Sequence, residues 1–168
     1  INGLDKVPFF TNETIFDHKE LIQHLLVIGG GPIGMELAQA HRRLGTNVTV
    51  IEQRNALNRE DPELSSIVIE NLRREGIDIH ENIIIKGVTN SENKIKIQAD
   101  RDGNKLSFDG THLLIAAGRQ PNIHDLNLEA AGIKNGPAGI STNARMQTSN
   151  KRVFVVGDAA EGFNFTHL

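Results

Sequence analysis

Leu25, Leu26, Val27 and Ile28 form an unbroken apolar run that ends in Gly29, Gly30 and Gly31. A short run without polar alternation suits a strand buried on both faces, as in a parallel sheet. Over 32–44 the apolar residues Ile33, Leu37, Ala40 and Leu44 recur at helical spacing, and Gly45 stands where helices commonly stop. Val48, Thr49, Val50 and Ile51 then predict a second strand over 47–51, closed by Glu52. Together these segments make a strand–helix–strand unit. Asp61, Pro62 and Glu63 supply a capping oxygen, a residue with no amide to satisfy and a charge that suits the helix dipole. The helix they open is expected to carry its apolar stripe on Leu64, Ile67, Val68 and Leu72, and to stop at Gly76.

A third buried strand is expected at 77–80. The pattern then changes to three short runs, 83–88, 94–99 and 105–108, separated by Asn90-Ser91-Glu92-Asn93 and Asp102-Gly103-Asn104. Such separators tolerate turn backbones, so the runs predict an antiparallel meander. A buried strand returns at 112–116. Residues 119–150 read mainly as loop with a weak helix near 126–131, and 153–156 as a last strand ending in Gly157 and Asp158. Residues 1–24 show no sustained period, which predicts an extended linker with one helical turn near 17–23.

Hydrophobic residues make up 38% of the 168 and charged residues 23%, a balance that can support a packed core. The net charge of −3 offers no basic field for nucleic acid or an anionic membrane, and no apolar run approaches the ~20 residues of a spanning helix. A soluble, cytoplasmic protein is expected. With no cysteine, this stretch carries no disulfide framework and no thiolate metal site, and the seven histidines lack ligand spacing. No Gly-x-Ser-x-Gly elbow supports an acyl-transfer triad. The chain begins at Ile1, and it reads as a piece of a longer protein.

Gly29, Gly31 and Gly34 form Gly-x-Gly-x-x-Gly between the first strand and its helix. In that position the glycines permit a tight turn, a close approach of a pyrophosphate to the backbone and close packing of helix on strand. Glu52 follows Gly29 by twenty-three positions, near the ~20 expected for an acid that accepts hydrogen bonds from an adenosine ribose. Its charge would also repel the 2′-phosphate of NADP, so NAD is the expected dinucleotide, with NADP possible through Arg54. Pro32, Ile33 and Gln53 complete the cofactor-binding set. The fold class is therefore α/β, a Rossmann-like doubly wound parallel sheet with an inserted antiparallel meander. From residues alone, Glu36 reads as a solvated helix residue and His167 as a surface residue or helix start. A non-catalytic NAD-binding sensor and a methyltransferase both stay open at this point. Pro32 and Gly34 disfavour the methyltransferase.

Four segments occur in one order: Val27-Ile-Gly-Gly-Gly-Pro-Ile-Gly-Met-Glu36, Ile115-Ala-Ala-Gly-Arg-Gln-Pro-Asn122, Met146-Gln-Thr-Ser-Asn150, and Val155-Val-Gly-Asp-Ala159 followed by Phe165-Thr-His-Leu168. The chain thereby resembles the flavin-dependent pyridine nucleotide–disulfide oxidoreductases, in particular mercuric reductase-like and lipoamide dehydrogenase-like members. The resemblance implies a lead-in at 1–20 akin to the FAD-domain crossover, an NAD(P)-binding domain at 21–120 and a partial FAD-binding segment at 121–168. It also implies that Glu36 pairs with a flavin-domain lysine near the reactive edge of the flavin, the one catalytic candidate. Gly118 and Arg119 would touch both nucleotides. Gly157 and Asp158 would bind FAD, and Thr166 and His167 would begin a helix whose amides face the flavin. The parent would be a homodimer that passes hydride from NAD(P)H to FAD. Its first FAD turn and cysteine pair would lie before Ile1, and its dimerisation domain after Leu168.

Overall fold

The structure is a computed structural model, and it describes residues 1–162 apart from Asn93 and Arg119. The chain divides into two compact units, Ile1–Gly118 and Arg119–Leu168.

In the first unit four parallel strands, β1 (His24–Ile28), β2 (Asn47–Ile51), β3 (Asp78–His80) and β7 (His112–Ile115), pair in the order β3-β2-β1-β7. Helices α1 (Pro32–Arg43) and α2 (Pro62–Arg74) connect the first three. The connection from β3 to β7 is the antiparallel sheet β4 (Ile84–Ser91), β5 (Lys94–Arg101) and β6 (Asn104–Gly110). Strand order therefore reverses beside β1, which puts the switch point of the sheet between the carboxyl ends of β1 and β7.

The apolar run of β1 is unbroken because each of its faces meets a different layer. Leu25 and Val27 share a core with Met35, Leu37 and Ala38 of α1 and with Ile69 and Leu72 of α2. Leu26 and Ile28 share another with Val88, Ile95, Ile97 and Ala99 of the meander. Burying each such side chain is worth about 2 kcal/mol, so β1 is the element that joins helices, sheet and meander into one unit.

Both helices bury only part of the stripe expected: Leu37 and Leu72 are buried and Ile33 packs against the core, but the rest of the inward face differs. In α1 the inward residues are Gly34, Met35, Leu37 and Ala38, whereas Ala40 is exposed and Leu44 is 71% exposed. In α2 they are Ser65, Ile69 and Leu72, while Leu64, Ile67 and Val68 lie outward. Two apolar stripes overlap in α2, and local polar bonds choose between them. Asp61 Oδ1 accepts from the amides of Glu63 (2.9 Å) and Leu64 (3.2 Å), and Ser65 Oγ donates to Leu57 O at 3.3 Å. These bonds fix the rotation that turns Ser65 inward.

The lead-in is packed rather than a linker. Val7, Ile15 and Ile22 are buried, and Phe10 extends the parallel sheet by one bridge: its N–H donates to Leu113 O (2.7 Å) and its carbonyl accepts from Ile115 N–H (2.9 Å). The turn expected at 17–23 is a 3₁₀ turn at Ile15–Asp17, placed earlier because Thr11 and Thr14 exchange side-chain-to-backbone hydrogen bonds before it.

The second unit has a small core of Ile123, Ile133 and Ile140, joined by Leu128, Val153 and Val155. A two-residue ladder, β8 (Asn135–Gly136) with β9 (Gly139–Ile140), was not signalled by any hydrophobic period. The helix expected near 126–131 is a 3₁₀ turn at His124–Leu126 followed by turns, since Asn127 adopts a left-handed backbone (φ 47°) that ends helical winding. The strand expected at 153–156 is a single bridge, Gln147 with Phe154, leaving Phe154 and Val156 exposed. The segment Met146–Asn150 ties the loops together. Ser149 Oγ donates to Gly132 O (2.8 Å), Asn150 Nδ2 to Ala131 O (2.8 Å) and Thr148 Oγ1 to Asn150 O (2.9 Å).

Candidate functional site

Three glycines shape the end of β1, each by a different constraint. Gly29 has φ 112°, donates its N–H to Ile51 O at 3.0 Å, and lies so close to the β7 exit that a Cβ would stand 2.6 Å from Ala116 O. At Gly34 a Cβ would overlap the carbonyl oxygen of Gly29, so α1 meets the turn with no side chain between. Gly31 differs: nothing lies within 4 Å of where its Cβ would be. That open flank over a bare main chain is the space a diphosphate needs. Pro32 opens α1, and the first intrahelical bond runs from Met35 N–H to Gly31 O (3.0 Å). The amides of Ile33 and Gly34 precede it and take no partner among the described residues. They form the positive end of the helix dipole.

Glu52 sits just beyond β2, half-buried, and its carboxylate faces the glycine turn. Oε2 accepts from Gly30 N–H at 2.7 Å and Oε1 from Arg54 N–H at 2.8 Å. Each oxygen accepts one backbone bond and keeps lone-pair capacity for a further donor, such as a hydroxyl of a ribose. The side chains of Gln53 and Arg54 are exposed, with no hydrogen bond or ion pair among the described residues. Across the switch point, Ala116 N–H donates to Ile28 O at 2.8 Å, and Gly118 follows with φ 97° and open space around it. Glu36 is exposed on the second turn of α1 and has no partner among the described residues.

Gly30 is a site residue that the spacing rule passes over. Its N–H serves Glu52, its carbonyl accepts from Leu57 N–H at 2.8 Å, and a Cβ would stand 3.0 Å from Glu52 Cβ. Its place in the middle of an unbroken row of three glycines was its only sequence signal.

In the second unit, Gly157 and Asp158 lie in the 3₁₀ turn Gly157–Ala159, where Gly157 has φ 76° and open space beside it. Arg119, Thr166 and His167 lie outside the described residues. Among the described residues no group of three or more His, Asp or Glu could hold a metal ion, and no helix is long and apolar enough to cross a membrane.

A parallel sheet with a glycine turn, an acid at the next strand end and a meander in the last crossover is a Rossmann-like α/β arrangement. The family model for pyridine nucleotide-disulphide oxidoreductase matches residues 2–168, and the chain belongs to that family. Mercuric reductase of Staphylococcus aureus is 34% identical over 170 residues, which cover all of this chain and 31% of that protein. Dihydrolipoyl dehydrogenase of Geobacillus stearothermophilus is 31% identical over 88% of this chain and 32% of its own length. Among solved structures, the HOCl-induced flavoprotein disulfide reductase RclA of Escherichia coli superposes with a TM-score of 0.86 at 31% identity, over 99% of this chain and 38% of its own. The chain thus spans about a third of the length of these relatives.

Proposed function

We propose that this chain is the dinucleotide-binding portion of an FAD-dependent oxidoreductase that takes hydride from NADH. Under this reading residues 21–120 bind the pyridine nucleotide, and 1–20 and 121–168 belong with the FAD-binding part of the whole protein. The observation that carries it is the Glu52 carboxylate, fixed by the Gly30 and Arg54 amides beside the open flank of Gly31.

That geometry supports the roles at the glycine turn and Glu52, and the family resemblance supplies those of Glu36, Gly118, Gly157 and Asp158. The amides of Ile33 and Gly34, with the bare backbone of Gly31, would hold the pyrophosphate. Glu52 would accept from the adenosine ribose and repel a 2′-phosphate, which favours NADH over NADPH. Gly118, across the switch point from Gly29, would border the nicotinamide half. FAD, when bound, supplies the ring that accepts the hydride and releases electrons singly or in pairs. Gly157 fits such a group through its open, positive-φ turn, and Asp158 would accept from its ribityl chain. Glu36, exposed and unpaired among the described residues, would pair with a lysine of the FAD-binding part. The terminal acceptor belongs to parts of the protein beyond this chain. A sensor that only reads NAD would need no second nucleotide turn, which makes Gly157 and Asp158 the features that favour the redox reading.

The test is anaerobic addition of NADH to the full-length protein. The expected outcome is a yellow protein whose flavin absorbance bleaches within seconds. A protein that binds no flavin after reconstitution contradicts the redox reading and supports the sensor.

A further inference from the structure

The loop that carries Glu52 is held from beneath by a second carboxylate. Glu81 follows β3, and its Oε1 accepts from Ala56 N–H at 2.8 Å. Its Oε2 is paired with Arg73 Nη2 of α2, also at 2.8 Å, and Arg73 in addition donates to Ile79 O at 3.3 Å. Around this pair the two strand exits are stitched by backbone. Ile83 N–H donates to Glu52 O (2.9 Å) and Asn82 N–H to Arg54 O (3.1 Å). Asn82 adopts φ 60° to make the second of these. The next residue of the loop, Leu57, returns its N–H to Gly30 O at 2.8 Å.

The consequence is a continuous relay: Arg73 to Glu81, Glu81 to Ala56, Leu57 to Gly30, and Gly30 back to Glu52. Ala56 itself is buried, and its Cβ would stand 3.2 Å from a Cβ on Gly30. The loop therefore has little freedom while its Ala56 amide is held. Without Glu81 the N–H of buried Ala56 loses its acceptor, and the loop must shift to hydrate it. Such a shift moves Glu52 away from the flank of Gly31.

We propose that Glu81 is a positioning residue for dinucleotide selectivity: it sets the 53–57 loop so that the Glu52 carboxylate meets the adenosine ribose. This rests on the ribose reading of Glu52, and extends it to a residue that touches no ligand. Because Glu81 acts through Glu52, its removal weakens NADH and relieves the repulsion of NADPH together. A residue that merely supports the fold would weaken both alike.

The experiment measures NADH and NADPH dissociation constants by calorimetry, and KM and kcat for NADH, on the full-length protein and its variants. Glu81→Ala is expected to raise the NADH dissociation constant about tenfold, about 1.4 kcal/mol, with kcat nearly unchanged and the preference over NADPH narrowed. Glu81→Gln keeps an acceptor for Ala56 and is expected to restore NADH affinity to within about threefold of the parent. The double variant with Glu52→Ala should bind NADH no more weakly than Glu52→Ala alone, the non-additivity expected of one chain of action. Should Glu81→Ala fail to fold, Arg73→Gln frees Glu81 from its guanidinium without touching the loop, and a roughly threefold loss of NADH affinity is expected. Glu52→Ala weakening NADH while Glu81→Ala and Arg73→Gln leave it unchanged overturns the positioning role alone. Glu52→Ala without effect on either dinucleotide overturns the ribose reading, and the role of Glu81 with it.

Discussion

Gly29 shows how narrow the chemical choice at a single position can be. Its φ of 112° is a backbone that side chains disfavour, and the Ala116 carbonyl fills the space a methyl group would take. Gly29→Ala is expected to destabilise the protein by on the order of 2–3 kcal/mol, read as a lower melting temperature in thermal unfolding. Gly31 carries no such constraint on the folded chain, since nothing adjoins its missing Cβ. A stability close to the parent in Gly29→Ala would contradict the close approach of β1 to the β7 exit. The place of Glu52 at the exit of β2 was legible from the pattern alone. Its two backbone partners were not, because a carboxylate's hydrogen bonds depend on the turn that its neighbours adopt.

At the scale of elements, the packing of the lead-in on β7 has a titratable edge. His112 stacks on Phe10 at 5.8 Å and meets the His18 ring edge-on at 5.0 Å. Burial holds the His112 pKa below its ordinary value, and the neighbouring His18 lowers it further against an opposing pull from Glu20. His41 is lowered by burial and by His18, and His24 by burial despite the charge of Asp78. These imidazoles therefore favour the neutral form in the fold more than in the unfolded chain. Their contribution to stability is complete above the unfolded value of about 6.5 and declines as pH falls through the lowered folded values. Melting temperature is expected to fall between pH 7.5 and 5.5, and His112→Phe, which keeps an aromatic ring against Phe10, should flatten that slope. An unchanged slope in the variant contradicts the assignment. The faces of α1 and α2 were misread in part, for a related reason. Period alone finds an apolar stripe, whereas the inward face of α2 is selected by Asp61 and the Ser65 hydroxyl, polar bonds that a hydrophobic pattern does not weigh.

For the molecule as a whole, the four strands that pair in the order β3-β2-β1-β7 were readable in sequence as short apolar runs. The second unit was harder to read. Its order comes from Thr148, Ser149 and Asn150 bonding to distant backbone, and such contacts leave no periodic trace. The central claim is that the crevice between β1 and β7 binds a dinucleotide whose ribose Glu52 reads. Its most direct test is titration of NADH and NADPH against the parent protein and Glu52→Ala. NADH is expected to be preferred by about tenfold or more in the parent, and the preference to shrink in the variant through weaker NADH and stronger NADPH binding. NADPH binding more tightly than NADH to the parent would contradict it, and would assign the selectivity to Arg54.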